Sequence, residues 1–329
     1  PQCPGSPRAF FIAVALMSAF LHYVQICAPM FSVIGLGWVL QRLLKWPNKV
    51  NIWLARFVFS AALPALLFVM MCGLSQLPPV DSRALIAFFG SCLIVFVIGR
   101  LLAWRVFRLD GVSQSVFALA GIFSNNAMLG IPLARIALGE AALPTVALVL
   151  VFNSLTLWTL VTVSVEWAKH GSPTPKGFGK TLVSVLKNPL IIGILSGTVI
   201  GLSGWTLPDM VLTPLSWLGE LAAPLALFSL GLSLAGHRLR EQWKITTAMT
   251  ALKLLLQPLV VWLIAVWLGL PEMETRAVVL LGSIAVGANV YLMSRQFKVL
   301  EAPVASSLVL STALSSLTTP LILALTRGA

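Results

Sequence analysis

Residues Gly111 to Ala134 form an uncharged run long enough to cross a bilayer, and its middle reads Ser124-Asn125-Asn126-Ala127-Met128-Leu129-Gly130-Ile131-Pro132. A continuous lipid-facing helix does not suit this sequence. Pro132 has no backbone N–H and its ring clashes with the preceding turn. Gly130 adds freedom where a membrane helix should be stiff. The two amides bring donors and acceptors to a depth where unpaired polar groups are costly. A helix broken here and lining a polar cavity reconciles these facts, and that arrangement builds substrate sites in transporters.

The rest of the chain agrees with a membrane setting. Of its 329 residues 58% are hydrophobic and only 10% charged, with a mean hydropathy of +0.96. A soluble domain usually carries about 25% charged residues. The net charge of +12 does not point to nucleic acid, because the Lys and Arg residues sit in short tracts between apolar spans. The cysteines Cys3, Cys27, Cys72 and Cys92 lack metal-ligand spacing and read as small core residues. No metal or other cofactor is expected, and no Walker motif suggests ATP drive. The spans lack clustered His, Asp or Cys, which argues against an integral membrane enzyme.

Ten spans of about 20 residues follow in order: 22–42, 50–71, 84–104, 112–134, 143–166, 188–204, 211–235, 245–269, 276–295 and 303–326. The uncharged N-terminal run, Ala9 to Gln41, exceeds what one span needs. Residues 1–21 are therefore read as a tail, with Met17 as a natural start and the rest an extension; a signal peptide over Arg8 to Ala19 is the alternative. Basic residues crowd the odd-numbered loops: Arg42, Lys45 and Lys49; Arg100, Arg105 and Arg108; Lys169, Lys176, Lys180 and Lys187; Arg238, Arg240 and Lys244; Arg295 and Lys298. The even loops and the tails hold only Arg8, Arg83, Arg135, Arg276 and Arg327. Basic loops stay cytoplasmic, so both termini are expected outside, in the plasma (bacterial inner) membrane.

The halves echo each other. Ala62-Leu63-Pro64-Ala65-Leu66-Leu67-Phe68 returns as Ala222-Ala223-Pro224-Leu225-Ala226-Leu227-Phe228, Asn126 as Asn289, and Gly139-Glu140-Ala141 as Leu300-Glu301-Ala302, at offsets of 160 to 163 residues. Five spans in each half turn the second copy upside down. The organisation expected is a first repeat at 22–166, a cytoplasmic linker at 167–187 and a second repeat at 188–329, an inverted repeat with two broken helices meeting near the midplane.

These motifs, together with Ala28-Pro29-Met30-Phe31 and Gly35-Leu36-Gly37 in span one, Gly130-Ile131-Pro132-Leu133 in span four, Pro224 to Gly231 in span seven and Gly287-Ala288-Asn289 in span nine, resemble the auxin efflux carrier family, which joins plant auxin carriers to bacterial relatives. The resemblance implies an all-α fold of ten transmembrane helices like that of bile acid:sodium symporters. Two crossing broken helices would belong to a transport domain that moves, elevator-fashion, against a scaffold. It also implies small organic anions as substrates, malonate, malate and auxin among them. Span nine lacks a proline, so its break rests on Gly287 and Asn289.

The candidate substrate-binding residues are Asn125, Asn126, Gly130, Pro132, Gly287, Asn289, Pro64 and Pro224. Pro132 suits the first turn of a second half-helix, whose N-terminus can face a carboxylate. The asparagines either bond the substrate or tie the crossing helices together; the prolines either line the site or serve packing. Glu220 and Lys253, both inside spans, are candidates for a coupling or charge role; Arg56 is read as a snorkelling side chain and Arg135 as a surface anchor. Coupling is open between proton and sodium, for which Ser229, Ser233, Thr318 and Thr319 could supply oxygens. The expected partners are an organic anion, the bilayer and a second copy through the scaffold. The other readings are a sodium-coupled symporter of bile-acid type and a membrane sensor that binds a ligand without moving it.

Overall fold

The computed structural model describes residues 7–73, 81–170, 187, 189–203, 205, 207–235 and 242–326. Helices dominate: α1 (Pro7–Leu44), α2 (Asn48–Phe57), α3 (Leu63–Cys72), α4 (Arg83–Arg105), α5 (Gly111–Ile122), α6 (Ile131–Leu138), α7 (Leu143–His170), α8 (Pro189–Ser203), α9 (Asp209–Glu220), α10 (Ala222–Leu234), α11 (Trp243–Ala251), α12 (Gln257–Trp267), α13 (Glu272–Ser283), α14 (Ala288–Phe297) and α15 (Glu301–Leu325). Helices satisfy their own backbone, which lipid cannot do. Among the described residues, six segments are long and apolar enough to cross a membrane: Met17–Leu44, Lys49–Cys72, Arg83–Arg105, Asp209–Leu234, Trp243–Trp267 and Glu301–Leu325. α1 extends upstream of the span expected at 22–42. The expected linker, apart from its first residues and Lys187, lies outside the described residues, as does Cys3.

Three helical segments widen into a π turn immediately before a proline: Val58–Ala62 before Pro64, Asn126–Gly130 before Pro132, and Leu252–Leu256 before Pro258. In each, the residue preceding the proline donates its N–H five residues back: Leu63 to Val58, Ile131 to Asn126 and Gln257 to Leu252. The wider turn moves the upstream carbonyl out of the path of the pyrrolidine ring, so the chain stays helical through a residue that would otherwise break it.

α3 packs on α8 and α9, and α1 on α10. These contacts leave no room for side chains. A Cβ on Gly193 would meet the Pro64 carbonyl oxygen at 2.6 Å, and one on Gly197 would meet that of Phe68 at 2.5 Å. Gly37 and Gly231 meet the facing backbone of α10 and α1 in the same way. Small residues let membrane helices gain dispersion energy by backbone approach. A second group joins α4 to α5 and α12, α5 to α7, α12 to α13, and α11 to α15. Arg100 of α4 is satisfied within this group, donating to Ser164 and, at 3.3 Å, to Gln114. The groups meet where α1 packs on α15 and α6, and where the π turn at Asn126–Gly130 faces α10. Arg276 of α13 also donates to the Tyr23 hydroxyl of α1.

Asp110 caps α5, accepting from the N–H groups of Val112 (3.0 Å) and Ser113 (3.1 Å) and from the Ser113 hydroxyl (2.5 Å). Partial burial alone would raise its pKa, but these hydrogen bonds hold the carboxyl below its ordinary value. Tryptophan and basic side chains pair near several helix ends. Arg42 lies over Trp38 (5.3 Å), Arg56 over Trp53 (5.5 Å), Arg105 over Trp104 (4.7 Å) and Lys244 over Trp243 (5.9 Å), as at a membrane–water interface.

Candidate functional site

α5 stops at Ile122 and α13 at Ser283, and the two interruptions cross. Ser124 and Val286 face each other as an isolated antiparallel pair. The Asn125 N–H donates to the Ala285 carbonyl at 3.0 Å, and the Gly287 N–H donates to the Phe123 carbonyl at 2.8 Å. Each broken segment thus satisfies backbone groups that its own helix has released. After the crossing, the Asn125 carbonyl accepts from Leu129 (3.0 Å) and Gly130 (3.1 Å), closing the π turn that leads into α6. Pro132 is the second residue of α6, which continues from the π turn, so the widened turn rather than a free helix start accommodates its missing N–H.

Two glycines make the crossing sterically feasible. A Cβ on Gly287 would lie 3.0 Å from the Phe123 ring and 3.0 Å from the Ser124 carbonyl oxygen. A Cβ on Gly130 would lie 2.9 Å from Leu281 Cδ2 and 3.1 Å from Ile284 Cδ1. The break in span nine therefore forms without a proline, with Gly287 admitting the partner backbone.

Side chains at the first interruption are buried and under-satisfied. Ser124, Asn125 and Asn126 are 1%, 6% and 2% exposed, yet Ser124 Oγ, Asn125 Nδ2 and Asn126 Oδ1 have no hydrogen-bond partner within the protein. The Asn126 amide nitrogen only reaches Asn153 Oδ1, at 3.5 Å. A buried unpaired polar atom costs roughly 1–3 kcal/mol, so three on consecutive residues call for a ligand or a functional reason. They open the turn at which backbone N–H groups lack internal acceptors, and the positive end of a helix dipole points the same way.

The second interruption is braced instead. The Val286 N–H is accepted by Ser311 Oγ of α15 at 3.0 Å. Lys253 is wholly buried and its ammonium donates to the Gly282 carbonyl in the last turn of α13, where positive charge offsets the helix dipole. Beside it, Gln257 donates to Ser91 Oγ at 3.1 Å. Asn289 is partly exposed in the first turn of α14.

The remaining candidates have other surroundings. Pro64 backs onto Gly193 of α8; Pro224 is exposed in the first turn of α10; Glu220 is exposed at the end of α9. Arg56 is exposed over Trp53, and Arg135 pairs with Glu140 at the surface, at 2.6 Å. Ser229 donates to Asn51 Oδ1 at 3.2 Å. Ser124, Asn153 and Ser311 were not singled out by the sequence. The serines look ordinary in a run of small residues, and Asn153 and Ser311 reach the crossing from other helices.

A multi-pass helical membrane protein whose interrupted helices cross belongs among integral membrane transport proteins rather than enzymes. The sequence comparisons agree and name the group: residues 22–323 match the family described as membrane transport protein, and the chain belongs to that family, the auxin efflux carriers. Over 306 residues it is 26% identical to a protein of Rhizobium meliloti (strain 1021) named "Putative malonate transporter", covering 91% of this chain and 94% of that one. It is 30% identical over 162 residues to "Uncharacterized transporter MJ1031" of Methanocaldococcus jannaschii, covering 47% of this chain and 50% of the relative.

Proposed function

We propose that the protein is a secondary transporter of small carboxylates, such as malonate, malate or auxin-like acids, and that the crossing is its substrate site. The observation that carries this reading is the cluster of unpaired buried atoms on Ser124, Asn125 and Asn126, set at the start of a half-helix. A carboxylate would take the donors of Ser124 and Asn125 together with the free N–H groups of the turn. Asn289, at the start of the other half-helix, contributes its amide from the opposite side. Lys253 supplies a buried basic group within the same helix group, and Glu220, exposed at the end of α9, is left to a surface or vestibule charge.

The architecture proposed is ten crossings in a five-plus-five inverted repeat. Its support is local and specific. The two bonds at the crossing exchange under an offset of 162 residues, since Asn125 to Ala285 becomes Gly287 to Phe123. Backbone with positive φ recurs at an offset of 161: Arg108 (52°) with Gly269 (63°), and Gly139 (87°) with Leu300 (53°). α1 to α3 and α8 to α10 would form the scaffold, through which two copies associate; the other helices would move against it by an elevator mechanism. The four tryptophan–cation pairs all fall beside odd-numbered loops, which favours those loops as cytoplasmic and both termini as outside, in a plasma membrane.

The test is uptake of radiolabelled malonate, malate and indole-3-acetate into proteoliposomes, with and without sodium and proton gradients. Wild type is compared with Asn126→Ala and Asn289→Ala at matched reconstitution. Saturable uptake of one anion, reduced at least tenfold in both variants, is the expected result. Normal uptake by both variants would reject the crossing as the site. Binding without uptake would favour a sensor, and uptake that requires sodium would favour the bile-acid type of coupling.

A further inference from the structure

The unpaired atoms at the crossing do not all suit a carboxylate. Ser124 Oγ–H and Asn125 Nδ2 are donors, but the unpaired atom of Asn126 is its carbonyl oxygen Oδ1, because the Asn126 amide nitrogen is turned to Asn153. A carboxylate oxygen laid against Oδ1 would set acceptor against acceptor. With Asn126 turned this way, a ligand with a carboxylate at one end and an O–H or N–H donor at the other satisfies all three.

Charge and proton carriers point the same way. Lys253 is the one basic or acidic side chain among the buried described residues, so a dianion at this depth would meet at most a single buried countercharge, and that group already donates to Gly282. Among the described side chains, the elements packed on the turn bring it no buried acid. α10 has no titratable residue. Arg135 of α6 pairs with Glu140 at the surface. α13 holds Glu272, Glu274 and Arg276 in its first turns, and α7 holds Glu166, Lys169 and His170 in its last turns. α14 adds Tyr291 and Arg295 beyond the break.

Resting on the reading of the crossing as a carboxylate site, we infer that the species carried is the singly protonated dicarboxylate. Its carboxylate accepts from Ser124 and Asn125, and its carboxylic acid O–H donates to Asn126 Oδ1. The proton crosses on the substrate and no protein carboxylate takes part. Asn126 is thereby the residue that reads the protonation state of the substrate.

The test uses three probes in proteoliposomes across a range of pH: malonate, malonamate and monomethyl malonate. Malonamate carries one carboxylate and an amide N–H donor at every pH; monomethyl malonate carries one carboxylate and no donor. Above the second ionisation of malonate, its apparent affinity should weaken about tenfold per pH unit, as one proton is linked to binding. Inhibition by malonamate should stay flat over the same range and exceed that by monomethyl malonate at least tenfold. Asn126→Leu should erase the preference for malonamate over monomethyl malonate, while a thermal melt of the same preparation reports whether the variant is folded. Malonate affinity that holds or improves as pH rises would overturn the inference while leaving the carboxylate site standing. So would equal inhibition by malonamate and monomethyl malonate in wild type. Failure of all three probes to be carried or to bind at any pH would reject the carboxylate site itself.

Discussion

The two interruptions share one backbone design and differ in chemistry. At both, the helix stops, three or four residues run extended or irregular, and a new helix begins; the partner strand supplies one hydrogen bond to each. At the second, outside groups satisfy what the break releases: Ser311 takes the Val286 N–H, and Lys253 takes the Gly282 carbonyl. The lining Ile284-Ala285-Val286 is apolar and buried. At the first, Ser124, Asn125 and Asn126 hold polar atoms out of water with nothing to bond. Under the function proposed above, the contrast makes one break a clamp and the other a reader. Satisfied groups rigidify, whereas unsatisfied ones store a cost that a ligand repays.

The largest effect expected from breaking this comparison is at the glycine that lets the clamp close. In Gly287→Ala the new methyl meets the Ser124 carbonyl oxygen and the carbonyl carbon behind it, at 3.0 and 3.2 Å. Backbone held by two hydrogen bonds yields little, so overpacking of about 1–3 kcal/mol is expected, along with loss of most uptake. Gly130→Ala crowds the ends of the Leu281 and Ile284 side chains, which can turn aside, and meets Asn126 Cβ at an ordinary 3.6 Å, so it should retain more stability and more uptake. Thermal melts and proteoliposome flux on both variants check the ranking; equal losses would show that the two breaks are equally constrained.

A smaller effect sharpens the difference in satisfaction. Ser311→Ala leaves the buried Val286 N–H without an acceptor, at a cost of roughly 1–3 kcal/mol. Because Ser311 braces the clamp rather than the reader, the loss should show as a lower melting temperature with the apparent substrate affinity largely kept. An affinity loss as large as that of Asn126→Ala would place Ser311 in the binding machinery.

How far these roles could be read from the residues follows the same divide. The first break was legible because Asn125, Asn126, Gly130 and Pro132 are individually out of place in an apolar run. The second carries no such flag beyond Gly287 and Asn289, and its meeting with the first was read from the internal repeat and the family resemblance rather than from any local signal. Lys253 could be read only as a charge inside a span, because its partner, the Gly282 carbonyl, belongs to another helix. Ser311 and Asn153 act through helices distant in sequence, and a serine on an apolar helix looks the same whether it caps a break or merely bonds its own turn. Glu220, conspicuous as an acid within a span, lies exposed at a helix end.

The smallest effect concerns the half-helices that lead into the crossing. α5 is capped by the Asp110 side chain. Its counterpart α13 starts after Pro271 with no side-chain cap and with Glu272 and Glu274 in its first turn. Asp110→Ala should therefore cost about 1 kcal/mol, and Asp110→Asn, which keeps an acceptor, less. The Asp110 pKa is held below its ordinary value in the folded state. Its contribution is thus complete above the unfolded value, about pH 4, and fades as pH falls through the lower folded one. The gap in melting temperature between wild type and Asp110→Ala should be constant at neutral pH and narrow only below about pH 4. A gap that closes already near neutrality would mean that the carboxylate is not what caps α5, and that the reader and the clamp are approached by equally uncapped helices.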